Sequence, residues 1–315
     1  LTIKLAIIGL GTIGKRILNT VDKHSEVEVV AVYDQAAVLL DQVVHQHISI
    51  EQCAQALINR ADVDVVYIGT PPATHMLYCE LALQAGKTIW CEKPLAIDVD
   101  QATAFIKKLE ATQVKAVVNL SLASSPVVAQ ISKMMDDIPI GDISSVEFQM
   151  HYSSWPRRWQ SGASSWLCMR EQGGFLREVF SHFVFLHQRL IGDLELQQGR
   201  VEYSDENLAE TYVQAHFATH GIPVRLQGVV GGNVPDTNNW IVYAKHKSIH
   251  LSGFRALKVS ENDSWQDIAV DLAGDLDMTQ LNEVVKMVRN QPHKLASFQE
   301  ALKVQHVVEE LLAKG

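Results

Sequence analysis

Apolar residues follow two different rhythms along the chain. In the first third, segments 5–8, 27–33, 63–68, 88–91 and 116–119 are short apolar runs with little polar alternation. Runs of this kind suit strands covered on both faces of a parallel sheet. Segments with helical spacing separate them. One is 13–22. Another follows Asp98, where Asp98-Val99-Asp100-Gln101 has the form of a capping box ahead of an apolar stripe. The alternation predicts a doubly wound α/β domain over residues 1–121. After that the pattern changes. Segment 143–152 alternates like a half-exposed strand, a loop rich in Trp and Arg follows, and a helix is predicted over 174–191, stopped by Gly192. Strand-like segments then succeed one another at 194–203, 211–219, 224–230, 240–244 and 248–251, with turns at His220-Gly221 and Gly231-Gly232-Asn233. Consecutive strands with short turns predict an antiparallel meander. A tail helix over about 293–314 carries Phe298, Ala301, Leu302, Val304, Val308, Leu311 and Leu312 on its apolar side. The expected fold class is therefore α/β plus α+β. A parallel sheet forms domain 1–121, and an open, mainly antiparallel sheet flanked by helices forms domain 122–315.

Composition narrows the function classes. The 315 residues are 47% hydrophobic and 20% charged, with a net charge of −9. That is enough apolar material for more than one core. An acidic surface repels phosphate backbones, so a nucleic-acid partner is not expected. No apolar stretch reaches membrane-spanning length. The opening LTIKLAIIGL is broken by Lys4 and lacks a small-residue cleavage site, so it reads as a buried strand. Cys53, Cys79, Cys91 and Cys168 form no Cys-x-x-Cys pair, which fits a reduced cytoplasmic protein. His45-x-His47 has no acidic or cysteine partner beside it, so it reads as surface and no metal site is expected.

Gly9-Leu10-Gly11-Thr12-Ile13-Gly14 follows a predicted strand and opens a predicted helix. It has the G-x-G-x-x-G spacing of a Rossmann dinucleotide loop. Gly9 permits the tight turn, Gly11 lets the backbone approach a pyrophosphate, and Gly14 lets helix and strand pack closely. The helix N-terminus offers free N–H groups to the phosphates. Asp34 lies 20 residues after Gly14, at the end of the second strand. A carboxylate there accepts ribose hydroxyls and repels a 2′-phosphate, so NAD is expected, with NADP left open by nearby Lys15 and Arg16. The bland alternatives are a glycine-rich turn without ligand and a surface aspartate.

Two further elements carry a resemblance. Gly69-Thr70-Pro71-Pro72-Ala73-Thr74-His75 follows the third strand, and Glu92-Lys93-Pro94 ends the fourth. The combination resembles the Gfo/Idh/MocA oxidoreductases, the family of glucose-fructose oxidoreductase and inositol dehydrogenase. The resemblance implies that Thr70, Pro71, Pro72 and His75 line the cofactor groove. It implies that Glu92 and Lys93 lie by the nicotinamide ribose, with Lys93 reaching the substrate and the Lys93–Pro94 peptide cis. Asn119 would contact the nicotinamide side. The Arg that often follows that Asn is missing in Asn119-Leu120-Ser121-Leu122-Ala123, which implies a different substrate contact. A homodimer or homotetramer through the open sheet face is implied as well.

The segment Gly173-Gly174-Phe175-Leu176-Arg177-Glu178-Val179-Phe180-Ser181-His182 is similar to the family's Gly-Gly-x-x-x-Asp-x-x-x-His element, with Glu178 where Asp is usual. On a regular helix Glu178 and His182 share a face. Trp155, Arg158, Trp166 and Arg170 suit sugar stacking and anion gripping, or else a loop folded over its own tryptophans. The activity implied is hydride transfer between NAD(P) and a secondary hydroxyl or ketone of a sugar, inositol or other small polyhydroxy molecule. Lys93, His182 and Glu178 would be the catalytic groups. Two rivals stay open: an NAD-retaining hydrolase or lyase using transient oxidation, and a non-catalytic NAD or sugar sensor.

Overall fold

The computed structural model describes residues 2–41, 43, 47–271 and 276–315. The chain forms two compact units: Leu1–Ala123 with Gly274–Leu302, and Ser124–Ala273 with Lys303–Gly315. In the first unit, β1 (Ile3–Ile8), β2 (Val27–Tyr33), β3 (Ser49–Ile50), β4 (Val65–Ile68), β5 (Thr88–Cys91) and β6 (Ala116–Val118) form a parallel sheet in the order β3-β2-β1-β4-β5-β6. The connecting helices are α1 (Thr12–Val21), α2 (Ala37–Leu40), α3 (Ala54–Ile58), α4 (His75–Gln84) and α5 (Val99–Glu110). The unbroken apolar runs are explained by burial: all four residues of β4 are fully enclosed. Asp98 caps α5, accepting hydrogen bonds from the N–H groups of Asp100 (2.8 Å) and Gln101 (3.0 Å). The strand order reverses between β1 and β4, and in such sheets ligands bind beyond the carboxyl ends at this switch point.

The second unit contains β7 (Ile143–Tyr152), β8 (Glu195–Tyr203), β9 (Glu210–Thr219), β10 (Ile222–Val230), β11 (Thr237–Ala244), β12 (Ser248–Ser252), β13 (Ala256–Ser260) and β14 (Trp265–Ile268), ordered β14-β13-β12-β11-β7-β10-β9-β8. Its helices are α6 (Pro126–Met135), α7 (Ser164–Leu167) and α8 (Ser181–Leu190). Here the structure departs from a simple meander. The first strand in sequence, β7, is inserted between β10 and β11, pairing parallel with β10 and antiparallel with β11. The inner face of the sheet is apolar and packs on the α8 side, with Phe148 meeting Phe180 edge-on at 5.1 Å. The outer face is polar. Gln149 and Gln214 both register with Gln227, and Glu147 and His216 with Arg225.

The chain then returns. Helix α9 (Leu276–Val288) puts Leu281, Val284, Val285 and Met287 into the same core as Ile17, Leu18 and Val21 of α1. Strand β15 (Ala296–Ser297) adds antiparallel to the free edge of β6, and α10 (Phe298–Leu312) closes the chain. The sequence reading assigned all of 122–315 to the second domain and saw no helix at 276–288. The structure instead assigns 274–302 to the first unit, because the stripe of Leu281, Val284, Val285 and Val288 has helical spacing and α1 offers it an apolar partner.

Candidate active site

The glycine loop is built as its spacing requires. Gly9 has φ +97°, and a Cβ there would lie 2.6 Å from the carbonyl oxygen of Gly69. A Cβ on Gly14 would lie 1.9 Å from the carbonyl oxygen of Gly9. A Cβ on Gly11 meets nothing within 4 Å. Two of the glycines thus permit packing, and the third borders open space. Thr12 and Ile13 begin α1, whose N-terminus has no side-chain cap, leaving its first N–H groups for an anion. The Asp34 carboxylate accepts from the N–H of Leu10 (2.6 Å) and of Ala36 (2.8 Å), which holds it beside the glycine loop. Arg16, considered above as a possible 2′-phosphate partner, is committed elsewhere. Its Nη2 donates to Asp277 Oδ1 at 2.9 Å and its Nε lies 2.5 Å from Oδ2. The loop therefore fits a dinucleotide: an open approach at Gly11, an uncapped helix end, and an acid held at the loop.

The loops after β4 and β5 carry the next group of expected site residues. Pro71 is exposed, Thr70 half-buried and Pro72 buried. His75, expected from the resemblance to line the groove, has a fully enclosed side chain. Its Nε2 is 2.8 Å from the carbonyl oxygen of Thr70, and its Nδ1 is 2.8 Å from that of Pro94. Burial opposes a charge on this ring. Cys91 beside it and the two carbonyls outweigh burial and push its pKa up to about 9. The Lys93–Pro94 peptide is cis, and Lys93 is half-buried at the end of β5. The Glu92 carboxylate is buried. Its Oε1 accepts from Tyr67 Oη (2.7 Å) and Asn119 Nδ2 (2.5 Å), and Gln280 of α9 donates to Asn119 Oδ1 at 2.8 Å. Burial, then the Glu92 charge, push the Tyr67 hydroxyl well above its ordinary value. The Asn119 side chain is thus engaged with Glu92 and Gln280. Tyr67 and Gln280 were missed from sequence. A tyrosine inside an apolar strand does ask for a hydroxyl partner, but nothing local marks Gln280.

In the second unit, the segment read as one regular helix begins with a π-helical turn, Leu176–Phe180, that runs into α8. Glu178 lies in the wide turn and His182 in α8, so regular α-helical spacing does not relate them. The buried Glu210 carboxylate accepts the Leu176 N–H at 2.7 Å, and a Cβ on Gly174 would come within 2.1 Å of its Oε2. Burial pushes Glu210 up to about 7, against the N–H bonds and Arg177, which lower it. Arg177 is itself fixed by a two-pronged bond to Glu309 of α10 (2.7 and 2.8 Å). Glu178 Oε1 accepts from Gln160 Nε2 (2.9 Å), and Gln160 Oε1 accepts from Arg157 Nε (2.9 Å). The buried Gln160 was not anticipated. His182 is buried and meets Phe254 edge-on at 5.2 Å.

Two of the expected substrate contacts are engaged within the protein. Trp155 packs on Tyr152 and Phe175, and its Nε1 donates to the carbonyl of Leu167 at 3.1 Å. The Arg170 guanidinium lies 3.7 Å from the centre of the Tyr203 ring and donates to the Gly315 carbonyl at 2.9 Å. Arg157 stacks over Trp159 at 4.9 Å, so much of this loop is folded on its own rings. Arg158 is exposed and Trp166 half-buried. His45 lies outside the described residues. Among the described residues, no three His, Cys, Asp or Glu side chains cluster as metal ligands, and no helix is long and apolar enough to cross a membrane. All four cysteines are free thiols.

Residues 3–120 match the model of an oxidoreductase family with an NAD-binding Rossmann fold. The chain is similar to an inositol 2-dehydrogenase of Rhizobium meliloti (strain 1021), 26% identical over 61% of this chain and 56% of the relative. It is also similar to an inositol 2-dehydrogenase/D-chiro-inositol 3-dehydrogenase of Lactiplantibacillus plantarum, 33% identical over 51% of this chain and 47% of the relative. The matched segments thus span about half of those relatives' lengths. A crystal structure of an NAD binding oxidoreductase from Klebsiella pneumoniae shares the fold, with a TM-score of 0.83 at 17% identity over 99% of this chain and 96% of that one. The first unit is thus similar, over residues 3–120, to the NAD-binding Rossmann domain of the Gfo/Idh/MocA oxidoreductases.

Proposed function

We propose that this protein is an NAD(P)-dependent oxidoreductase that interconverts a secondary hydroxyl and a ketone on a sugar, inositol or related polyhydroxy molecule. The observation that carries the reading is the buried Glu92 carboxylate, pinned by Tyr67 and Asn119 at the end of β5 directly before Lys93. A fixed carboxylate followed by a lysine at a strand end is a built polar site, and the names of the relatives point to polyols. When bound, NAD(P) supplies the nicotinamide that exchanges hydride with the carbinol carbon. Gly9, Gly11, Thr12, Ile13 and Gly14 hold its pyrophosphate end, and Asp34 takes the adenosine ribose hydroxyls, which favours NAD. Lys93 donates a hydrogen bond to the substrate oxygen and offsets the charge growing there. His182 takes or returns the hydroxyl proton. Glu178, steadied by Gln160, accepts from a neighbouring substrate hydroxyl, and exposed Arg158 with Trp166 completes the selection. The polar outer face of the second sheet is where a second copy pairs, as a dimer or tetramer, and the four free thiols suit a reducing cytoplasm.

The test is a panel of inositols, sugars and polyols incubated with NAD or NADP and read as reduced-nicotinamide absorbance. At least one polyol should turn over, and Lys93→Ala should lose roughly 100-fold or more in kcat while still binding the dinucleotide. Silence across the panel with dinucleotide binding intact would refute the dehydrogenase reading and favour a cofactor-retaining hydrolase or a sensor.

A further inference from the structure

We propose that His75 is a positioning residue, held as an imidazolium that donates to two backbone carbonyls at once and so ties the loop after β4 to the loop after β5. The geometry is specific. Nε2 and Nδ1 are each 2.8 Å from a carbonyl oxygen, that of Thr70 and that of Pro94. A neutral imidazole carries one N–H. Its second nitrogen would then aim a lone pair at a carbonyl lone pair at hydrogen-bond distance. Neither carbonyl can donate, and the ring is sealed from water that could intervene. Only the doubly protonated ring satisfies both acceptors.

A buried cation is costly unless it is compensated. Here the two carbonyl dipoles point at the ring and supply the compensation; the titratable group facing it from β5 is Cys91, whose thiol burial pushes well above its ordinary value and which also contacts Cys79. The consequence reaches the cofactor edge without His75 touching it. The backbone N of Thr70 would lie 2.9 Å from a Cβ on Gly9, so the position of Thr70 sets how closely the glycine loop can settle. Pro94 follows Lys93. One buried ring thus holds two of the segments that NAD(P) binding requires, and this role rests on the cofactor reading above.

The experiment has two arms. In the wild-type protein without cofactor, histidine ring nitrogens labelled with ¹⁵N are observed by NMR through about pH 7 to 8. One histidine should show both ring nitrogens protonated, and it should be the one signal missing from His75→Gln. A His75 signal from a neutral tautomer would overturn the proposal whatever the enzyme does. In the second arm, NAD binding is titrated by calorimetry. His75→Gln keeps a single donor group, and it should bind NAD about tenfold more weakly, the loss of roughly one hydrogen bond's worth of order. Wild-type affinity in a folded His75→Gln would overturn the positioning role. Should His75→Gln not fold, the wild-type nitrogen signals decide, assigned to His75 by sequential backbone connectivity in the wild-type protein. Failure of the wild type to bind either dinucleotide would overturn the cofactor reading and with it this role, an outcome the nitrogen signals keep separate from the protonation state.

Discussion

Glu210 offers a test in which structure fixes both the sign and the size. Its carboxyl is fully buried at the entrance to the π-helical turn, and burial raises it from an ordinary 4.5 to about 7. A carboxyl that binds its proton more tightly when folded makes the folded state the better proton binder between those two values. Stability contributed by this group therefore falls as pH rises from about 4.5 to about 7. At about 1.4 kcal/mol per pH unit the loss is of the order of 3 kcal/mol. His187 works in the opposite direction. Burial, then the charge of His220, push it down to about 3, so its contribution grows as pH rises from about 3 to its unfolded value near 6.5. The wild-type pH profile mixes the two, but the comparison with Glu210→Gln does not. Glutamine keeps an oxygen for the Leu176 N–H and cannot ionise. Between about pH 4.5 and pH 8 the stability of Glu210→Gln relative to wild type should shift in favour of glutamine by about 3 kcal/mol. Urea unfolding followed by tryptophan fluorescence is the assay, since Trp155, Trp159, Trp166, Trp240 and Trp265 all lie in the same unit as Glu210 and only Trp90 does not. A difference that stays constant across that pH range would refute the reasoning, because it would mean the carboxyl does not change protonation there.

The other predictions concern the dinucleotide loop. Gly14→Ala should destabilise the protein by roughly 1–3 kcal/mol, since its Cβ collides with the Gly9 carbonyl; denaturant unfolding checks this. Gly11→Ala should leave stability nearly unchanged and weaken NAD binding, because its Cβ occupies only the space a ligand needs; calorimetric titration beside a melting curve separates the two effects. Asp34→Ala should weaken NAD by about tenfold or more and raise the relative preference for NADP, by removing an acceptor and a repelling charge together; parallel titrations with both cofactors read it.

Much of the first unit was legible because its signals are local. β2 and β5 span the residues that the apolar runs at 27–33 and 88–91 outline, and the Gly9 to Gly14 spacing describes a loop whose parts are within six residues of one another. What escaped depends on partners far along the chain. Gln280 reaches Asn119 across 161 positions, and no periodicity reports such a bond. β7 is a clear strand in the sequence, but its insertion beside β10 is a matter of sheet order, which alternation does not encode. Arg170 and Trp155 have the chemistry of ligand contacts, and only the presence of Tyr203, Gly315 and Leu167 beside them gives them structural work. The π-helical turn was invisible because what holds it lies far along the chain: Glu210 of β9 accepts the Leu176 N–H, and Glu309 of α10 accepts from Arg177.

The return of α9 to the first unit has a consequence for biosynthesis. The nucleotide-binding unit opens with β1, yet its apolar interior lacks Leu281, Val284, Val285 and Met287 until translation has run through the whole of the second sheet and on to α9. Until then the nascent sheet carries an uncovered seam on α1, which is the kind of surface that recruits chaperones. Ribosome-bound chains stalled before residue 276 should remain protease-sensitive in this half, and chains stalled beyond the last strand of that sheet, with room to clear the exit tunnel, should not.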